Sequence, residues 1–190
     1  ASLEPLTTDE AELKTLEALR HLSSAASPLE TSHSSLGGKL YVIPVGEVLS
    51  QFPLPAMHRD YFVHMKRLFN AIGSSIASEV GATAILTGEN LGQVSSQTLG
   101  NLGAVEEASS VRILRPLLGL DKQEIIDEAR ELGTFDIAAG PELCDALGPD
   151  RPTTVADLNR LRRNENVQGG LDELTQDCLK SLRIRSLCPV

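Results

Sequence analysis

The apolar run Ala82-Thr83-Ala84-Ile85-Leu86 passes directly into Thr87-Gly88-Glu89-Asn90-Leu91-Gly92-Gln93-Val94-Ser95-Ser96-Gln97-Thr98. A short apolar run bounded by a polar glycine turn reads as a buried strand. A buried strand, then such a turn, then a helix is how an open α/β sheet presents a ligand at its carboxyl edge. Gly88 and Gly92 let the backbone approach a ligand closely. Glu89, Asn90, Gln93 and Gln97 bring carboxylate and amide groups that suit hydroxyls, phosphates or a base.

The rest of the chain repeats the strand–helix alternation. Residues 39–45 (KLYVIPV) and 111–117 (VRILRPL) read as further strands, ended near Pro44 and Pro116. Leu13, Leu16, Leu19 and Leu22 mark an early helix, and residues 23–38, rich in Ser and Gly, a loop. A long helix is expected from about Arg59 to Val80, with Phe62, Met65, Phe69, Ile72 and Ile76 on its buried side. Another is expected over 95–107. Asp121 and Glu124 cap a third, with Ile125, Ile126, Ala129 and Leu132 inward and Gly133 as the stop. Residues 138–152 hold Gly140, Pro141, Gly148, Pro149 and Pro152 and read as a loop, followed by helices near 154–164 and 171–182. The expected class is α/β: a parallel sheet containing strands 39–45, 82–87 and 111–115, flanked by helices.

At 190 residues the chain suits one domain with a small appendage, and 41% hydrophobic content without Trp leaves Leu, Ile, Val and Ala to fill the core. No apolar run reaches the roughly 18 residues of a membrane span, and no signal-peptide pattern is visible. Cys144, Cys178 and Cys188 are odd in number and irregularly spaced, which argues against a disulfide framework or a CxxC metal site and fits a reducing cytoplasm. Cys178 shares a helix face with Leu171, Leu174 and Leu182 and reads as core. Cys144 lies between Glu142 and Asp145, whose charges raise a thiol pKa. His21, His33, His58 and His64 lack metal-ligand spacing, and ordinary surface roles suit His58 and His64. A net charge of −9 opposes gripping a nucleic-acid backbone. The basic residues Arg160, Arg162, Arg163, Lys180, Arg183 and Arg185 read as a solvated helix face and its sequel.

Three stretches occur together, in order: TGENLGQVSSQT (Thr87–Thr98), LRPLLGLDKQEII (Leu114–Ile126), and GTFDI (Gly133–Ile137) followed by PELC (Pro141–Cys144). Together they resemble the ATP-pyrophosphatase part of the ThiI family, the tRNA 4-thiouridine synthetases or tRNA sulfurtransferases. The likeness covers roughly residues 10–155. It implies an adenine nucleotide α-hydrolase-like fold, ATP with Mg2+ as cofactor, adenylation of a tRNA uridine, and replacement of the activated oxygen by sulfur from a persulfide donor protein, with a possible link to thiamine biosynthesis. By the same resemblance, Lys66, Gly88 and Gln97 contact ATP and Cys144 takes part in sulfur transfer.

One family element is absent from these 190 residues: the phosphate-binding loop SGGxDS, which offers backbone N–H groups and a helix N-terminus to the phosphates. The chain is therefore expected to represent the distal part of the domain over 1–155, lacking its N-terminal strands, with 156–190 as a helical extension packed on it. A fragment, one subunit of a split enzyme, and a non-catalytic nucleotide-binding or assembly module all fit that pattern. An uncovered sheet edge should drive homo-oligomerisation or capture of a partner chain supplying the loop, unless residues 1–8 or 183–187 replace the missing strands. Contact with tRNA is expected through other domains or chains.

Overall fold

The computed structural model describes residues 9–25, 38–54, 56–139 and 148–187. The two strand runs that flank the glycine turn pair as expected. β2 (Ala84–Leu86) and β3 (Arg112–Leu114) are parallel, with Ile85 opposite Ile113 and Leu86 opposite Leu114. The crossover between them holds the turn, a 3-10 turn at Ser95–Gln97 and α4 (Leu99–Glu106). Thr98 caps α4 by accepting from the Asn101 backbone N–H.

The third expected strand goes elsewhere. β1 (Lys39–Val42) pairs antiparallel with β4 (Arg183–Ser186), Lys39 facing Ser186 and Val42 facing Arg183. The described residues thus form two two-stranded sheets rather than one parallel sheet through 39–45, 82–87 and 111–115. The alternating sequence Arg183-Ile184-Arg185 suits a solvated edge strand. Both of its arginines also donate to Glu12 on α1 (Glu10–Ala25), at 2.9 Å each, which fastens β4 in place.

The organising element is α3 (Tyr61–Val80), ended by Gly81 at φ +73°, the left-handed cap that favours glycine. It is covered on two sides. Tyr61, Leu68 and Ile72 pack with α2 (Gly46–Leu49), Phe52, Met57, and Leu174 and Cys178 of α8 (Leu171–Leu179). Val63 packs with Ala104 and Val105 of α4 and Leu161 of α7 (Leu158–Val167). The expected inward residues Phe62, Met65, Phe69 and Ile76 are only half-buried, because neighbours on both sides select the stripes beside them.

Polar side chains tie these layers together. His64, expected at the surface, is fully buried, with Nδ1 3.1 Å from Glu165 Oε1. The carboxylate can only accept, so Nδ1 is the donor. Arg67 donates to both Glu165 oxygens at 2.6 and 3.0 Å, and through Nη1 to Ala104 O and to Glu107 at 2.8 Å. Burial pushes the Glu165 carboxyl upward, yet the bonds from His64 and Arg67 outweigh it and hold it below its usual range. The basic face of α7 is solvated as expected, Arg162 and Arg163 being exposed, and it also carries ion pairs: Arg160 pairs through two nitrogens with buried Asp60, and Arg162 bonds Glu107.

α5 (Lys122–Glu131) has the expected capping box, Asp121 accepting from Gln123 and Glu124 while Glu124 accepts from the Asp121 N–H. It buries little. Ile125, Ile126 and Ala129 are half-buried and Leu132 is exposed, so α5 and α6 (Phe135–Ala138) form a peripheral layer against α1.

Candidate functional site

The carboxyl ends of β2 and β3 carry Thr87-Gly88-Glu89 and Arg115 side by side, joined by Thr87 N–H donating to Leu114 O at 3.0 Å. Glu89 is the hub. Lys66 Nζ, reaching from α3, donates to Oε1 at 2.8 Å, and Arg115 Nε donates to Oε2 at 2.7 Å. The Thr87 hydroxyl adds a longer bond of 3.3 Å to Oε2. Side-chain exposures of 17% for Lys66, 10% for Arg115 and 8% for Glu89 place these charges in a strongly shielded setting. Burial raises the Glu89 carboxyl pKa, but bonds from Lys66 and Arg115 more than offset that and hold it below the ordinary range.

The turn is braced from below. Asn90 donates through Nδ2 to Leu117 O at 3.1 Å and also to Leu120 O, and Leu91 N–H donates to Leu118 O at 3.0 Å. Gln97 accepts from Asn90 N–H through Oε1 at 3.2 Å, while Gly92 N–H donates to Gln97 O at 2.9 Å. Gly92 adopts φ +78°, a conformation that L side chains rarely take. At Gly88 a Cβ would meet no described atom within 4 Å, so this stretch of backbone is open to an incoming group.

Of the residues singled out in the sequence, Lys66 and Gly88 come together through Glu89, and Gln97 joins them as a brace of the same turn. Cys144 and Cys188 lie outside the described residues. Cys178 is core as expected, although it also borders an open cavity of about 500 Å³ with Pro44, Glu47 and Lys180. Burial, then the Asp177 charge, pushes its thiol up to about 11, which makes it a poor nucleophile at neutral pH. The role of Glu89 in holding two cations was not legible in the sequence, since the three residues are separated along the chain. Among the described residues, no cluster of three His, Cys, Asp or Glu side chains is placed to hold a metal. None of the described helices is long and apolar enough to cross a membrane.

A parallel strand pair ending in an open glycine turn, with two shielded cations beside it, defines an α/β protein with a candidate ligand site at its carboxyl edge. Comparison with known proteins makes the class specific. Residues 4–168 match the family model "Thiamine biosynthesis protein (ThiI)". A probable tRNA sulfurtransferase of Staphylococcus epidermidis is 32% identical over 180 residues, covering 94% of this chain and 42% of that protein. Its counterpart in Staphylococcus aureus is 33% identical over 165 residues, covering 86% of this chain and 38% of that protein. A solved 4-thiouridine synthetase–RNA complex with bound ATP superposes with a TM-score of 0.82 at 30% identity, covering 96% of this chain and 46% of that one. The chain belongs to the ThiI family. It spans about two-fifths of the length of the curated relatives it matches.

Proposed function

We propose that this chain forms part of an ATP-dependent tRNA sulfurtransferase, one that adenylates a tRNA uridine and exchanges its oxygen for sulfur. The observation that carries this reading is the meeting of Lys66, Glu89 and Arg115 beside the open Gly88 backbone. Two cations shielded from water and an unobstructed glycine fit a phosphate chain. Lys66 would place its ammonium on a phosphate, Gly88 would let the nucleotide lie against the backbone, and Gln97, bracing the turn through Oε1, would contact ATP as well. ATP would bring its own Mg2+ on the phosphates. A tRNA would be reached with the help of other domains or chains, and the sulfur would come from a persulfide donor protein. Residues 1–155 would form the nucleotide unit and 156–190 its extension.

The test is binding of MgATP by calorimetry. Lys66→Ala should weaken it at least about tenfold, the scale of one charge-assisted hydrogen bond. An unchanged affinity would remove Lys66 from the site.

A second reading is a nucleotide-binding or assembly module without chemistry of its own. Incubation of the chain alone with radiolabelled ATP should then give neither AMP nor pyrophosphate, and robust AMP formation would overturn this reading. Cys144 retains its proposed part in sulfur transfer. In a complete enzyme, Cys144→Ser should abolish 4-thiouridine formation while pyrophosphate release persists, because activation needs no thiol. Full thiolation by that variant would return Cys144 to a structural role.

A further inference from the structure

Arg115 is bound on one side and open to exchange on the other. Its Nε is committed to Glu89, which is 8% exposed. Its Nη1 donates at 2.7 Å to Glu106, whose side chain is 51% exposed at the end of α4. Its Nη2 is buried and has no hydrogen-bond partner among the described residues. A buried guanidinium nitrogen without an acceptor costs free energy that a well-formed ion pair would recover. An exposed carboxylate holding one neighbouring nitrogen is a weak partner, because water competes for it.

Resting on the nucleotide-site reading above, we propose that Arg115 is a second phosphate ligand and that Glu106 is its stand-in, a carboxylate that leaves when the phosphate arrives. Departure of Glu106 frees Nη1, and Nη1 with Nη2 forms the planar two-donor fork that matches two oxygens of a phosphate. Glu89 keeps the guanidinium in place during the exchange, since its bond to Nε is on the other edge. The same carboxylate holds Lys66, so one acid orients both cations toward the Gly88 backbone. In the resting state the four groups Lys66, Arg115, Glu89 and Glu106 sum to zero charge, and loss of Glu106 from the set leaves one positive charge for the anion.

The experiment measures MgATP and adenosine affinity of this chain by calorimetry, for the unaltered protein and three variants. Glu106→Gln should tighten MgATP severalfold and leave adenosine unchanged, since it removes a competitor for the phosphate only. Arg115→Lys keeps the charge but lacks the fork, and should weaken MgATP about tenfold with adenosine again unchanged. Lys66→Ala separates the two readings. If Lys66→Ala weakens MgATP while Glu106→Gln leaves it unchanged or weakens it, the exchange is wrong and the nucleotide site stands. If neither Lys66→Ala nor the unaltered chain shows phosphate-dependent binding, the site reading itself falls and the exchange with it. Should Arg115→Lys fail to fold, Glu106→Gln still decides, because it alters a half-exposed side chain.

Discussion

Glu165, on the side of α7 that faces α3, is 4% exposed and accepts from His64 Nδ1, Arg67 Nε and Arg67 Nη2. Removing one member of a buried pair leaves the other charged and unsolvated. Glu165→Ala should therefore lose about 3–5 kcal/mol in urea unfolding, read as a lower midpoint at constant slope. A loss below about 1 kcal/mol would mean that water or Glu107 takes over the Arg67 charge. At this scale the sequence was least transparent. His64 and Arg67 look like solvent-facing helix residues until α4 and α7 are seen to cover that side of α3, and neither covering helix is near in sequence. The cations of the candidate site share the difficulty. Lys66 and Arg115 acquire meaning only through Glu89, which lies 23 positions from one and 26 from the other.

Elements were legible where a local pattern decides them. The apolar run ending at Leu86 and the acidic cap at Asp121 each carry their signal within a few residues, and both elements form where expected, but the strand read as buried is only half-buried and leaves Leu86 exposed. Pairing is different. Nothing in residues 39–42 distinguishes a strand that will join β2 from one that will take β4, because the partner's identity depends on where α8 delivers the chain. Burial depth was also overestimated for α5, whose amphipathic pattern is real but faces a thin peripheral layer. That position sets an expectation. Asp121→Ala removes the cap and should cost about 1 kcal/mol. The loss should show as faster amide hydrogen exchange in 122–131, with little change in the global midpoint, since α5 contributes no fully buried side chain. Equal acceleration in α3 would show that the two helices unfold as one unit.

The molecule as a whole should respond to acid through its shielded carboxylates. The pKa values of Glu89 and Glu165 are lowered on folding from an ordinary value of 4.5. A carboxyl with a depressed folded pKa binds fewer protons in the native state than in the unfolded one. Its stabilisation is complete above the ordinary value and is lost as pH falls through the lower folded value. Thermal midpoints should hold near neutrality and drop below about pH 4.5, and Glu165→Ala should flatten that drop. A midpoint indifferent to pH in this window would contradict the ion-pair geometry. Association is the second property of the whole. Among the described residues, β2 and β3 have only each other as partners, and Leu86 and Leu114 at their ends are 68% and 49% exposed. Light scattering should give a mass above the 20.4 kDa monomer. A clean monomer would mean that these edges are covered within one chain.

The antiparallel match of β1 with β4 joins residues 39–42 to residues 183–186. During synthesis, β1 must therefore wait, unpaired, until residues 183–186 have left the ribosome. Helix α3 and the glycine turn can form while the chain is still growing, since their partners β2 and α4 precede β4 by many residues. The β1–β4 sheet cannot, and the entropy of closing so long a loop must be met once β4 arrives. A product stalled before residue 183 would thus carry the Lys66–Glu89–Arg115 cluster on a body whose β1 has nothing to pair with.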